Sequence, residues 1–302
     1  MKRILALVMA FTLAAMCLTA CGGGGNNAGT DNGDVIKIGV FEPTTGENGG
    51  GGVQEVLGAR YANSIRSTVT VGGKEYKIEL VEVDNQSDKS AAVTAAQTLV
   101  SNGVKAVIGS YGSGVSIAAG STFADAKIPA VGCSCTNPQV TAGNDYYFRV
   151  CFLDPFQGTV MANYAGITKE CKTAAVISQN GDDYSTGLAN YFKAAYKGDL
   201  VYEGTYNTNE SDFNAILTAA KAKNPEVIFC PSSIATAGLV IKQARELGIT
   251  CPIMAGDTWE NETIIQNAGA ENCEGVTFST FFDENDPTAA DFVKGFKAQR
   301  RL

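Results

Sequence analysis

Apolar residues recur with two different spacings in this chain, and the two patterns alternate from Val35 almost to the C-terminus. Short apolar runs without helical spacing read as strands, and longer stretches with a 3.6-residue apolar stripe read as helices. Strands are expected at residues 35–41, 104–108, 128–131, 173–177, 200–206, 226–229, 252–255 and 275–279. Helices are expected at 53–66, 113–126, 155–169, 185–196, 212–223, 235–247 and near 260–267, with one more ending at Ser101. Ser87 or Asp88 can cap that helix, and Gly103 can stop it. Residues 68–83 read as a hairpin turned at Gly72-Gly73. Residues 44–52, rich in glycine, are expected to form a loop. Repeated strand–helix alternation predicts an α/β fold of parallel sheets covered by helices on both faces. Two such series predict two lobes that divide near residues 149–155, with 35–153 and 283–302 in the first and 154–282 in the second.

The chain opens differently. Lys2 and Arg3 precede an apolar run, residues 4–18, that is short for a bilayer span. It ends in Leu18-Thr19-Ala20-Cys21 and four glycines. This stretch resembles the signal peptide and lipobox of bacterial lipoproteins. The resemblance implies export, cleavage after residue 20 and lipidation of Cys21 at the extracytoplasmic face of the cell membrane. Residues 22–34 carry almost no apolar side chain and read as a flexible tether.

Composition narrows the chemistry. The 23 basic residues less Lys2 and Arg3 leave 21 against 31 acidic ones, a net charge of −10 that disfavours nucleic acid. Histidine is absent, which removes the commonest general base and metal ligand. Seven cysteines follow Cys21, an odd number, so at least one thiol stays free. Cys151, Cys171, Cys230 and Cys251 stand beside apolar strand residues and read as small buried hydrophobes. Cys133-Ser134-Cys135 lacks further ligands at metal-binding spacing and reads as structural. Gly39–Gly46 does not supply a dinucleotide fingerprint, and residues 49–52 lack the Lys-Ser/Thr of a phosphate loop. Neither an enzyme nor a cofactor is expected.

Open parallel sheets bind ligands beyond the carboxyl ends of their strands. That selects residues 44–52, 111–116, 133–137, 180–184, 231–236 and 256–260, loops rich in Ser, Thr, Gly and acids and poor in Lys and Arg. Such loops suit a small zwitterionic or neutral ligand. Their order, with Gly58-Ala59-Arg60, Val107-Ile-Gly-Ser-Tyr-Gly-Ser113, Cys135-Thr-Asn-Pro138, Gln243-Ala-Arg245 and Ile253-Met254 before Asp257, resembles the branched-chain amino-acid-binding proteins of ABC importers, of the type I periplasmic-binding-protein fold. The resemblance implies that Ser113 holds a ligand carboxylate, that Ser134 and Thr136 complete the clamp on the α-carbon, that Tyr184 faces the ligand from the second lobe, and that Asp257 takes the ammonium. Ser113 opens a helix, where backbone N–H groups favour an anion. An ABC permease is the implied membrane partner; a receptor or kinase is the alternative. Two departures bear on the side-chain pocket. Glycines stand where the family often has an aromatic near residues 48–52, and Pro-Ser-Ser-Ile stands where a tyrosine is expected near Ser233. Family members also continue beyond residues 287–302, so this chain is expected to be a partial sequence.

Overall fold

The structure, a computed structural model, describes residues 34–299. The leader, Cys21, residues 22–33 of the tether and Arg300 to Leu302 lie outside the described residues. Among the described residues, no helix is long and apolar enough to cross a membrane.

Two sheets organise the chain. The first holds β1 (Val35–Glu42), β2 (Thr68–Val71), β3 (Lys74–Asp84), β4 (Ala106–Ile108), β5 (Ala130–Gly132) and β6 (Tyr147–Arg149), in the order β2-β3-β1-β4-β5-β6. From β1 to β6 the pairing is parallel, with Gly39 opposite Val107 and Val107 opposite Ala130. The second holds β7 (Thr173–Gln179), β8 (Asp199–Tyr206), β9 (Val227–Phe229), β10 (Ile253–Ala255) and β11 (Val276–Phe278), all parallel in the order β11-β10-β9-β7-β8. The expected hairpin is present as β2 antiparallel to β3, with Gly72 (φ 59°) and Gly73 (φ 82°) supplying the left-handed turn.

Period-two alternation explains why the central strands are apolar throughout. In β9, Ile228 faces one cluster with Ile177, Ile241 and Ile253, while Val227 and Phe229 face another with Val176, Leu188 and Phe192. In β1, Phe41 packs with Leu99 and Phe123, and Val40 with Val56 and Ala59 on the opposite face. Helices cover both faces, so each fully buried Leu, Ile or Phe here contributes on the order of 1.5–3 kcal/mol. The helices are α1 (Gly49–Ile65), α2 (Lys89–Ser101), α3 (Ser113–Asp125), α4 (Asp154–Asn163), α5 (Asp183–Ala195), α6 (Asn214–Lys221), α7 (Ile234–Glu246), α8 (Glu262–Ala268) and α9 (Ala290–Gln299). In α7 the buried stripe is Ile234, Ala237, Val240, Ile241 and Ala244, the spacing expected of a one-faced helix. Asp88 caps α2, its carboxylate accepting from the N–H groups of Ser90 and Ala91.

Three local readings are corrected. The expected glycine loop is cut short: α1 begins at Gly49, so the glycine run forms its first turn. The reason is space. A Cβ on Gly52 would lie 2.0 Å from the Pro43 carbonyl oxygen, and one on Gly51 would lie 2.5 Å from the Tyr111 ring. The helix expected at 155–169 is α-helical only to Asn163 and continues as a π turn over Tyr164–Thr168. Of the four cysteines expected to be buried, Cys171 and Cys230 are, whereas Cys151 and Cys251 are half-buried; all seven described cysteines are free thiols. After β11, α9 packs on α1 through Tyr61 against Phe292 and Phe296.

Candidate functional site

Strand ends from both sheets converge on one narrow cleft of about 50 Å³. Asn48 reaches it after β1, Ser87 after β3, Tyr111 and Ser113 after β4, and Ser134 after β5. From the second sheet come Asp182 and Tyr184 after β7, Ser233 after β9 and Thr258 after β10. Six of the loops selected from the sequence thus meet here. The loop after β3, which brings Ser87 and Lys89, was not selected; its signal was the polar run Asp84-Asn-Gln-Ser-Asp88 closing a strand.

Ser113 is the first residue of α3, and the left-handed Gly112 (φ 101°) turns the chain into the helix. Its buried Oγ accepts from the Asn137 N–H at 3.1 Å. An anion at this point meets the unpaired N–H groups and positive end of α3. Ser134 lines the cleft beside it, and its hydroxyl donates to Glu55 Oε1 at 2.5 Å. Thr136 is fully buried behind the wall, and among the described residues its hydroxyl has no hydrogen-bond partner. Arg149 holds this loop in place: its guanidinium donates to the carbonyls of Cys135 (2.7 Å) and Asn137 (2.8 Å) and to the Thr141 hydroxyl (2.8 Å).

Across the cleft, the Tyr184 hydroxyl donates to Asp257 Oδ1 at 3.0 Å. Tyr184 lines the cleft, whereas Asp257 sits one layer back in a short 3-10 turn, Asp257–Trp259. Gln157 of α4 fixes that turn by accepting from the Asp257 N–H at 2.9 Å. Burial pushes the Asp257 carboxyl up to about 6, against the pull of the Tyr184 hydroxyl. Burial and the nearby Asp257 raise Tyr184 well above its ordinary value, so it remains a donor. Trp259 packs in the core of the second lobe and donates Nε1–H to Ser232 Oγ at 3.1 Å.

Two acids that the sequence reading did not single out lie beneath Ser134. Glu42 ends β1 fully buried, and Glu55 on α1 approaches it. Glu42 Oε2 accepts from the Tyr111 N–H at 2.6 Å, while Glu42 Oε1 and Glu55 Oε2 are buried without a donor among the described residues. Burial, with each carboxyl beside the other, raises Glu42 well above the carboxylate range, and burial raises Glu55 to about 7. A proton shared between them is the simplest way to satisfy two facing acceptors. Cys133 Sγ joins them, with one ligand atom from each of the three within 4.8 Å of the others; among the described residues this is the group able to hold a metal ion. Burial and both acids raise the Cys133 thiol, so it is held neutral. The cysteine pair read as structural therefore contributes one thiol to an acidic cluster.

Contacts between the lobes frame the cleft. Lys89 pairs with Asp183 at 2.8 Å, and Asn137 Nδ2 donates to the Asp183 carbonyl at 2.8 Å. Glu47 accepts from Gln179 Nε2 (3.1 Å) and from the Asn209 N–H (3.3 Å), and its carbonyl accepts from the Ala235 N–H (3.1 Å).

Two α/β lobes meeting at a polar cleft at their strand ends, lined by the start of α3 and by Tyr184, which bonds to the buried Asp257, define a small-molecule binding protein. The chain belongs to the periplasmic binding protein family, which matches it over residues 35–301. A Leu/Ile/Val-binding protein homolog of Brucella melitensis is 30% identical over 269 residues, 87% of this chain and 72% of the relative. An amino acid binding protein of Pseudomonas aeruginosa is 34% identical over 255 residues, 82% of this chain and 67% of the relative. Among solved structures, the leucine-binding protein LivK of Thermotoga maritima aligns with a TM-score of 0.83 at 32% identity, covering 88% of this chain and 77% of that one. The branched-chain amino acid substrate-binding protein LivJ of Streptococcus pneumoniae, in complex with isoleucine, gives 0.82 at 32% identity, covering 89% and 78%.

Proposed function

We propose that this chain is the extracytoplasmic substrate-binding component of an ABC importer, closing on an α-amino acid and presenting it to a membrane permease. Cys21 would carry the lipid that holds it at the membrane, and residues 22–34 would give it reach. Ser113 and the α3 start would receive the ligand carboxylate, with Ser134 alongside on the wall and Thr136 behind it. Tyr184 and Asp257 would take the ammonium from the second lobe.

The observation that carries the reading is that the start of α3, which favours an anion, and Tyr184, hydrogen-bonded to the buried Asp257 carboxylate behind it, line one cleft, in a fold shared with relatives named for amino acids. A zwitterion satisfies both ends. Its binding stabilises the closed arrangement of the lobes, so binding free energy, with no chemical step, is what the permease reads.

Asp257→Asn keeps an acceptor for Tyr184 but removes the charge that an ammonium would meet in a dry cleft. Amino-acid affinity should fall by more than about tenfold. Isothermal calorimetry on wild type and variant, each shown to be folded by its melting curve, checks this; equal affinities would remove Asp257 from the site.

A further inference from the structure

We infer that the ligand's side chain is neutral and hydrogen-bonding, a hydroxyl or a carboxamide, and not a branched aliphatic chain. The inference rests on the amino-acid reading above and concerns the lining residues to which that reading gives no role.

Besides Ser113, Ser134 and Tyr184, the cleft is lined by Asn48, Ser87, Tyr111, Ser233 and Thr258. Val115 is the one aliphatic hydrocarbon side chain among the lining residues, and it is packed into the core of the first lobe. The glycines at 49–52 place no side chain over the ligand. Tyr111 fills the space above Gly51 instead, bringing a phenol where a purely apolar wall would suit leucine or isoleucine.

The polar groups of this wall divide into those already used and those left over. Thr258 Oγ1 donates to the Ser232 carbonyl at 2.8 Å, and Ser87 Oγ donates to the Thr45 carbonyl at 3.1 Å while accepting from the Asn48 N–H. Ser233 caps α7 and bonds to the Thr236 hydroxyl. Asn48 Oδ1 accepts from the Ile234 N–H at 3.2 Å, which fixes the amide and leaves its NH₂ without an acceptor among the described residues. Among the described residues the Tyr111 hydroxyl has no hydrogen-bond partner either, although its backbone N–H is tied to Glu42. An aliphatic side chain closing over these two groups would strip them of water and return no hydrogen bond, a loss that sites built for a polar ligand use to reject apolar analogues.

Charge restricts the choice further. Lys89 is paired with Asp183, and the Asp182 carboxylate is engaged at the start of α5 by the Ser185 N–H at 2.6 Å. Lys89 and Asp182 are the charged residues among those described that line the cleft, and both are engaged, so neither is left to receive a second ionic group. A neutral donor–acceptor side chain matches what remains.

The test is calorimetry on the purified chain, shown to be folded by circular dichroism. It is titrated with serine, threonine, asparagine and glutamine, with leucine, isoleucine and valine, and with alanine as reference. At least one of the first four should bind about tenfold or more tightly than every branched-chain ligand. Tyr111→Phe, which removes only the hydroxyl, should weaken that ligand by at least about threefold while leaving alanine within about twofold. Preference for leucine, isoleucine or valine overturns the side-chain inference and leaves the amino-acid reading standing. A folded chain that binds none of the eight overturns both.

Discussion

Ser113, Ser134 and Tyr184 stand on the cleft wall because each follows a strand end, and strand ends can be located from sequence by counting alternations. Glu42, Glu55 and Arg149 could not be read this way. Glu42 closes an apolar strand whose neighbour β4 lies far along the chain, and its burial depends on α1 folding back over it. The Glu42–Glu55 pair carries a pH signature. Unfolded glutamates titrate near about 4.3, whereas the folded chain holds the Glu55 proton to about 7 and the Glu42 proton higher than usual. Between those values the folded state binds more protons than the unfolded one, so this pair's contribution to stability falls as pH rises. Glu55→Gln can still donate to Glu42 and no longer titrates. Its melting temperature should therefore decline less from pH 5 to pH 8 than that of the wild type. Parallel declines in a thermal melt series would contradict the shared proton.

The elements themselves were mostly legible, since a short run buried on both faces of a parallel sheet is apolar at every position. What misled was glycine. A run such as Gly49-Gly50-Gly51-Gly52 carries no hydrophobic period and has poor helix propensity, yet it opens α1. Close packing under the turn after β1 overrides the propensity, and Gly52 sits where any side chain would strike Pro43. Gly52→Ala should therefore cost roughly 1–3 kcal/mol and lower the melting temperature by several degrees. A melting curve unchanged by the substitution would show that the turn gives way freely. The π turn at Tyr164–Thr168 was not expected, because a single 3.6-residue period was carried through to Lys169.

At the scale of the molecule, the alternation of strands and helices gave two sheets but could not say how the lobes face each other. That arrangement is held by single side chains: Glu47 reaching Gln179 and Asn209, Asn48 reaching Ile234, and Lys89 paired with Asp183. The exposed Lys89–Asp183 pair contributes little, so the closed arrangement depends mainly on hydrogen bonds that a ligand bridging both lobes would supplement. The central claim is that one zwitterion spans the cleft. A crystal structure of the chain with its tightest-binding amino acid tests this most directly. The ligand carboxylate should lie within about 3 Å of Ser113 and the α3 start, and the ammonium within about 3 Å of Asp257. A ligand seated elsewhere, or an ammonium turned away from Asp257, would contradict it.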